Sequence, residues 1–230
     1  MADSGAALGA LSAVHSAIAH DSAEKHVAGE ALYIDDLPEP AGLLHLHVGQ
    51  SARAHARITR LDLSAVRAAP GVVCVLTAAD VPGRNEIGPV QNDEPLLPEG
   101  IVRFLGQPLF AVAAETLPKA RAAAALAVVE YEDLPPLLTI AAARAANSLI
   151  EDSQVMRLGD AYAAIAAAPH ALSGTLAIGG QDHFYLEGQV ALVLPGEDGD
   201  LHVWSSTQNP SETQHLIARC LGLRDHAVTV

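Results

Sequence analysis

The apolar residues of this chain fall mostly into short runs set apart by turn residues such as Gly, Pro and Asp, and that spacing constrains the fold more than any other feature. Short alternating runs suit strands, whereas a helix needs apolar positions repeated over several turns. In Leu44-His45-Leu46-His47-Val48 apolar side chains alternate with histidines, which predicts a half-buried strand with its histidines turned to solvent or an interface. Arg57-Ile58-Thr59-Arg60-Leu61 alternates likewise. Val72 to Leu76 is continuously apolar and predicts a buried strand, with Cys74 as a small buried hydrophobe. Ile101 to Val112 is expected as strand, interrupted at Gly106-Gln107-Pro108, and Val128-Val129-Glu130-Tyr131 as another, stopped by Leu134-Pro135-Pro136. A strand is also expected from His26, broken by the turn residues Asp35-Asp36-Leu37-Pro38-Glu39-Pro40.

Helices announce themselves by their caps. Ser64 can open a short helix ending before Pro70-Gly71, and Thr116 with Pro118 a longer one running to Leu126. Asp160 can cap Ala161 to Ala168, with Pro169 closing it. Asn209-Pro210-Ser211-Glu212 forms a capping box with Pro at the first helical position, and that helix runs past Cys220 to Leu221 and stops at Gly222. Helix and strand signals interleave, so the fold class is α+β.

A composition break from Asn147 to Ser153 suggests residues 1–20 as a flexible lead-in, 21–149 as a first domain and 150–230 as a second. Within the second, strands are expected at Ala171 to Ile178, Val190 to Leu194 and Leu201 to Ser205, antiparallel because their connections are too short for crossover helices. Ala227 to Val230 resembles the start of a strand with an unpaired edge, and Leu192, Leu194, Val203 and Trp204 are expected to stay partly open. The stretch from Pro82 to Gly100, rich in Pro, Gly and acids, predicts a long surface excursion.

Aromatic residues are only 3% of the chain, so the core must be built from Leu, Val and Ile. The net charge of −14 would repel a phosphate backbone and argues against nucleic acid. Cys74 and Cys220 belong to no CxxC or Cys/His spacing, which fits a reducing compartment. No basic residue precedes Lys25 and no apolar stretch is long enough to span a bilayer, so a cytoplasmic protein is expected, with no membrane partner.

Several chemistries are absent: there is no G-x-S-x-G elbow, no phosphate-binding P-loop and no G-x-G-x-x-G opening a helix. His45 and His47 could share a metal, but a third ligand is not evident. Asp35 and Asp36 fit a turn, and Glu130, Glu132 and Asp133 a solvated strand exit. The informative stretch is Gly179-Gly180-Gln181-Asp182-His183-Phe184-Tyr185-Leu186-Glu187. Its paired glycines let backbone approach a bulky ligand, and the Gln181 amide can donate to an oxygen.

That stretch resembles the segment of xanthine dehydrogenases in which a glutamine lies beside the molybdenum. Ser206-Thr207-Gln208-Asn209-Pro210-Ser211-Glu212-Thr213-Gln214 is similar to the next family segment. His26-Val27-Ala28-Gly29-Glu30-Ala31-Leu32-Tyr33-Ile34-Asp35-Asp36-Leu37-Pro38, Pro70 to Pro82 and Val129-Glu130-Tyr131-Glu132-Asp133-Leu134-Pro135 resemble earlier ones, in family order from about His20 onward.

The resemblance implies an α/β hammerhead domain followed by the truncated start of a molybdopterin-binding domain. It implies a molybdenum-pterin cofactor, oxidative hydroxylation of a purine such as hypoxanthine or xanthine, and electrons leaving through [2Fe-2S] clusters and FAD to NAD. With no cysteine sets in this chain, those centres are expected on a partner small subunit, in a heterotetramer. Gln181 would take the place of the glutamine that hydrogen-bonds an oxo ligand, beside the metal without ligating it, with Gly179 and Gly180 offering close backbone approach. No catalytic residue is assigned within the chain, because the family's general base is expected beyond Val230, and the chain alone is expected to be inactive. An aldehyde oxidase and a non-catalytic hammerhead interaction domain are the alternatives.

Overall fold

The computed structural model describes residues 16–185 and 187–230. Of the expected lead-in, residues 1–15 lie outside the described residues, and 16–20 are exposed without regular structure. In chain order the elements are α1 (Ala23–Ala28), β1 (His45–Gln50), β2 (Ala56–Asp62), α2 (Ser64–Arg67), β3 (Val72–Leu76), β4 (Ile101–Val102), β5 (Pro108–Ala114), α3 (Leu117–Ala124) and β6 (Val128–Asp133). There follow α4 (Ile140–Ala145), α5 (Ala161–Ala167), β7 (Ala191–Pro195), β8 (Leu201–Ser205), α6 (Pro210–Leu221) and β9 (Val228–Thr229).

The strands make three-stranded sheets in the orders β1-β5-β3, β4-β2-β6 and β7-β8-β9. One core joins the first pair of sheets to α2 and α3, with Val66, Val75, Val102, Leu109, Phe110, Val112 and Ala114 buried among Ala120 and Ala123. The low aromatic content is visible there: Phe110 is the single ring among these buried residues. β5 is the central strand and buries residues on both faces, as a strand flanked by neighbours on each side should. The interruption expected at Gly106-Gln107-Pro108 is a buried polar corner. Gln107 and Ser51 are both 3% exposed. The Gln107 Oε1 accepts the Arg103 N–H at 2.7 Å and its carbonyl accepts the Ser51 N–H at 2.9 Å. Each of these buried groups therefore has a partner.

The strand expected from His26 is instead the helix α1. Ala, Glu and Lys favour helix there, no strand among the described residues pairs with it, and Gly29 ends it at φ 74° in the left-handed conformation, with Glu30 to Tyr33 outside any regular element. Ser64 does not cap α2. Asp62 does so, its Oδ1 accepting both the Ser64 N–H at 3.0 Å and the Ser64 hydroxyl at 2.6 Å.

In β1 the faces are opposite to the sequence expectation. Cross-strand partners share a face, and His45 and His47 pair with the fully buried Ala114 and Val112, so they sit half-buried on the α3 side. Leu46, 57% exposed, points with Val48 to the other side. Cys74 was expected to be buried and is exposed. The register shifts at Val73, where a bulge turns Cys74 onto the outer face and leaves Val75 in the core.

The last unit pairs β7 with β8 antiparallel, as expected, but β9 joins β8 in parallel after crossing over through α6. Val203 and Val228 are thereby buried against Ala218, so neither remains open to solvent. No strand forms over Ala171 to Ile178. Its alternation of apolar residues is real, but among the described residues no strand lies alongside, and an unpaired strand leaves its backbone groups to water.

Candidate functional site

The segment carrying Gly179, Gly180 and Gln181 joins α5 to β7 and is held by few local contacts. Residues Gly179 to Tyr185 have no regular secondary structure and are exposed, and Leu186 lies outside the described residues. A Cβ placed on Gly179 or Gly180 would meet nothing within 4 Å, and neither glycine has a positive φ. Their value in this conformation is open space beside the backbone. The Gln181 carboxamide is exposed and makes no hydrogen bond among the described residues.

Just after it the chain turns sharply. The Asp182 Oδ1 accepts the Phe184 N–H at 3.2 Å, and Phe184 adopts φ 52°, a left-handed value uncommon for a bulky residue. Phe184 is 98% exposed, so it serves no core here. Glu187 ends the motif with a tether: its Oε1 accepts the Ile34 N–H of the first domain at 3.2 Å. That contact was not predicted, since a separation of 153 residues leaves no local signal.

The second motif is structural. The Ser206 hydroxyl and N–H both bond Val190, stitching the ends of β7 and β8. The Asn209 Oδ1 accepts the Glu212 N–H at 3.1 Å, while the Asn209 N–H goes to the Thr207 hydroxyl rather than back to Glu212. Deeper in α6, the Gln214 Nε2 donates to the Val228 carbonyl at 2.6 Å and fixes β9 beside the helix. Gln208 is exposed at the mouth of this unit.

Among the described residues no group of three or more His, Cys, Asp and Glu side chains could hold a metal ion. His45 and His47 gain no third ligand. Glu130, Glu132 and Asp133 form exposed ion pairs with Arg60, Arg57 and Arg53 at 3.1, 3.4 and 3.0 Å, so they brace the edge of the β4-β2-β6 sheet. Asp36 caps its own turn by accepting the Tyr33 N–H at 3.0 Å. No described helix is long and apolar enough to cross a membrane.

Two three-stranded sheets share one core with α2 and α3 and are followed by a β-α-β unit, the architecture of a hammerhead domain joined to part of a molybdopterin-binding domain, as the family matches show. Residues 28–135 match the family model for the aldehyde oxidase and xanthine dehydrogenase a/b hammerhead domain, and residues 143–230 match the molybdopterin cofactor-binding domain. The chain is 39% identical over 214 residues to the xanthine dehydrogenase/oxidase of Gallus gallus, across 93% of this chain and 16% of that protein. It is 38% identical to aldehyde oxidase 3 of Rattus norvegicus, across 92% of this chain and 16% of that protein. The aldehyde oxidoreductase of Desulfovibrio gigas superposes with a TM-score of 0.74 at 29% identity, over 90% of this chain and 25% of that one. The chain belongs to the aldehyde oxidase and xanthine dehydrogenase family, and spans about a sixth of the length of these curated relatives.

The segment around Gln181 fits a molybdenum-pterin group in one respect. It offers an unencumbered Gly-Gly backbone and an unpaired carboxamide, able to border a bulky group and donate to its oxygen atoms. It offers no metal ligand set.

Proposed function

We propose that this chain contributes part of the cofactor pocket of a molybdenum hydroxylase that oxidises hypoxanthine and xanthine towards uric acid. The carrying observation is the exposed Gly179-Gly180-Gln181 segment, a free amide donor beside open backbone, in a chain matched from residue 143 onward by the molybdopterin-binding domain. When bound, the molybdenum-pterin group supplies the oxidising centre. This chain would supply Gln181, whose Nε2 could donate to an oxygen of that group, and Gly179 and Gly180, whose missing side chains would admit it. On a partner small subunit, within a heterotetramer, [2Fe-2S] clusters and FAD would carry the electrons away. We place the division between the domains at residues 149 and 150, beyond the short α4, which buries no residue.

Gln181→Ala in the assembled enzyme removes one hydrogen bond to a charged centre, worth about 1.5 to 3 kcal/mol, or roughly 10- to 100-fold in turnover. Thermal stability should barely change, since Gln181 is exposed and makes no hydrogen bond among the described residues. Full turnover at full molybdenum occupancy would refute the role. An aldehyde as substrate is the second reading, favoured by the nearly equal identity to aldehyde oxidase 3. Comparing kcat/KM for xanthine with that for an aromatic aldehyde on the same preparation decides between them. A preparation that never contains molybdenum would instead favour a non-catalytic role.

A further inference from the structure

Between the first domain and α6, backbone meets backbone. The loop after Asp80 brings Gly83 and Arg84 to the C-terminus of α6, where the Gly83 N–H donates to the Cys220 carbonyl at 2.8 Å and the Arg84 N–H to the Arg219 carbonyl at 3.0 Å. A helix ends in carbonyls that no intrahelical donor reaches. In α6 the chain itself turns back at Gly222, whose N–H reaches the Ala218 and Arg219 carbonyls, the latter at 3.4 Å, and the Leu223 N–H reaches the Ala218 carbonyl at 2.9 Å, so neither serves Cys220. The first domain supplies the donor for Cys220.

The approach leaves no room for a side chain. A Cβ on Gly83 would lie 2.5 Å from the Gly222 nitrogen and 2.8 Å from the Cys220 carbonyl oxygen, and closer still to the carbonyl oxygen of Arg219. All of these are backbone atoms of the helix end, so none can swing aside. The loop is itself braced. The Asn85 side chain donates to the Leu97 carbonyl at 2.6 Å and accepts its N–H at 3.0 Å. The Glu86 Oε1 accepts the N–H groups of Gly88 and Glu94, at 2.6 and 3.1 Å. Below the junction Leu97 and Cys220 are buried, alongside an apolar recess of about 340 Å³ lined by Leu46, Leu76, Pro82 and Leu221.

We propose that Gly83 and Arg84 form an interdomain latch: the hammerhead loop acts as the C-terminal cap of α6 and fixes the β7-β8-α6-β9 unit against the first domain. Gly83 is a positioning residue for that unit, demanded by the close approach of helix backbone. The latch involves no metal, so it stands or falls apart from the cofactor reading.

Native-state hydrogen exchange on the full chain tests it directly. The amides of Gly83 and Arg84 are expected to be protected and to open together with the Leu223 amide, as one cooperative unit. Exchange of Gly83 and Arg84 at the rate of an open loop would overturn the proposal. Gly83→Ala should raise exchange at Arg84 and Leu223 by about tenfold or more, while the Val112 amide in β5 keeps its protection and reports an intact first domain. Arg84→Pro, which removes the residue-84 donor and leaves position 83 a glycine, should raise exchange at the Gly83 and Leu223 amides in the same way. Unchanged exchange in both variants would count against the latch, and if either variant unfolds, the exchange of the unsubstituted chain decides alone.

Discussion

Asp62 sits at the turn from β2 into α2 and accepts from the Ser64 hydroxyl at 2.6 Å, the Ser64 N–H at 3.0 Å and the Arg60 guanidinium at 2.8 Å. These donors favour the ionised carboxylate, and they hold it down to about 2 from an ordinary 3.8, the Ser64 hydroxyl contributing most and Arg60 less. A group whose pKa is lowered by folding stabilises the fold at pH above its unfolded value, and that contribution fades as pH falls through the folded one. The turn should therefore hold at pH above 3.8 and loosen as pH approaches 2. Ser64→Ala is expected to raise the Asp62 midpoint toward the ordinary value, measured by following its carboxyl carbon in an NMR titration. A midpoint that stays near 2 would assign the effect to the backbone N–H of residue 64 and to Arg60 instead of the hydroxyl. Asp80 repeats the device: the Thr77 N–H and hydroxyl both donate to it at 2.8 Å and hold it below its ordinary range. Gln181 is the opposite kind of residue, exposed and without a hydrogen-bond partner among the described residues, which fits a group that meets a ligand rather than one holding the fold.

At the scale of elements, β1 and β5 meet at a glycine. Gly49 pairs with Phe110, and a Cβ on Gly49 would lie 2.6 Å from Cε2 of that ring and closer to its other edge atoms. Phe110 is buried in the core and cannot move away freely, so Gly49→Ala should cost about 1 to 3 kcal/mol through overpacking. Urea unfolding should show a lowered midpoint at unchanged slope, partly restored by adding Phe110→Leu. Equal midpoints for Gly49→Ala and the unsubstituted chain would mean that the ring has room to shift. Elements of this chain were legible where their signals are local. Thr116, Asp160 and Asn209 each accept an N–H three residues on, as their spacing implied. Strand faces were less legible, because the Val73 bulge that turns Cys74 outward and the pairing that turns His45 and His47 inward depend on β5, far along the chain. The site was legible only as a motif. The alternation from Ala171 to Ile178 suits a strand in sequence and forms none, because sequence alone does not say whether a partner strand exists.

Along the described chain, contacts between elements are concentrated in residues 45–133 and 191–229 and sparse between them. α4 and α5 bury no residue, and Leu149, Ile150, Val155, Met156, Leu158, Leu172, Leu176 and Ile178 are all exposed. Protease attack requires backbone that can leave its surroundings, and this stretch has little packing to leave. From length alone, the last residues would be the weak part, since a short second unit buries too little to stand by itself. The structure gives that unit support which length does not reveal: the Gly83 and Arg84 caps, the Glu187 tether to Ile34, and Cys220 buried beside Leu97. Limited proteolysis of this chain should therefore cut first between residues 146 and 189, leaving an N-terminal piece and a C-terminal piece that holds β7 to β9. The two pieces should elute together in gel filtration after the cut and separate only in denaturant, and Gly83→Ala should release the C-terminal piece under native conditions. Early degradation of residues 190–230 while the segment before them stays intact would show that the second unit is the weaker one and that its contacts to the first domain contribute little.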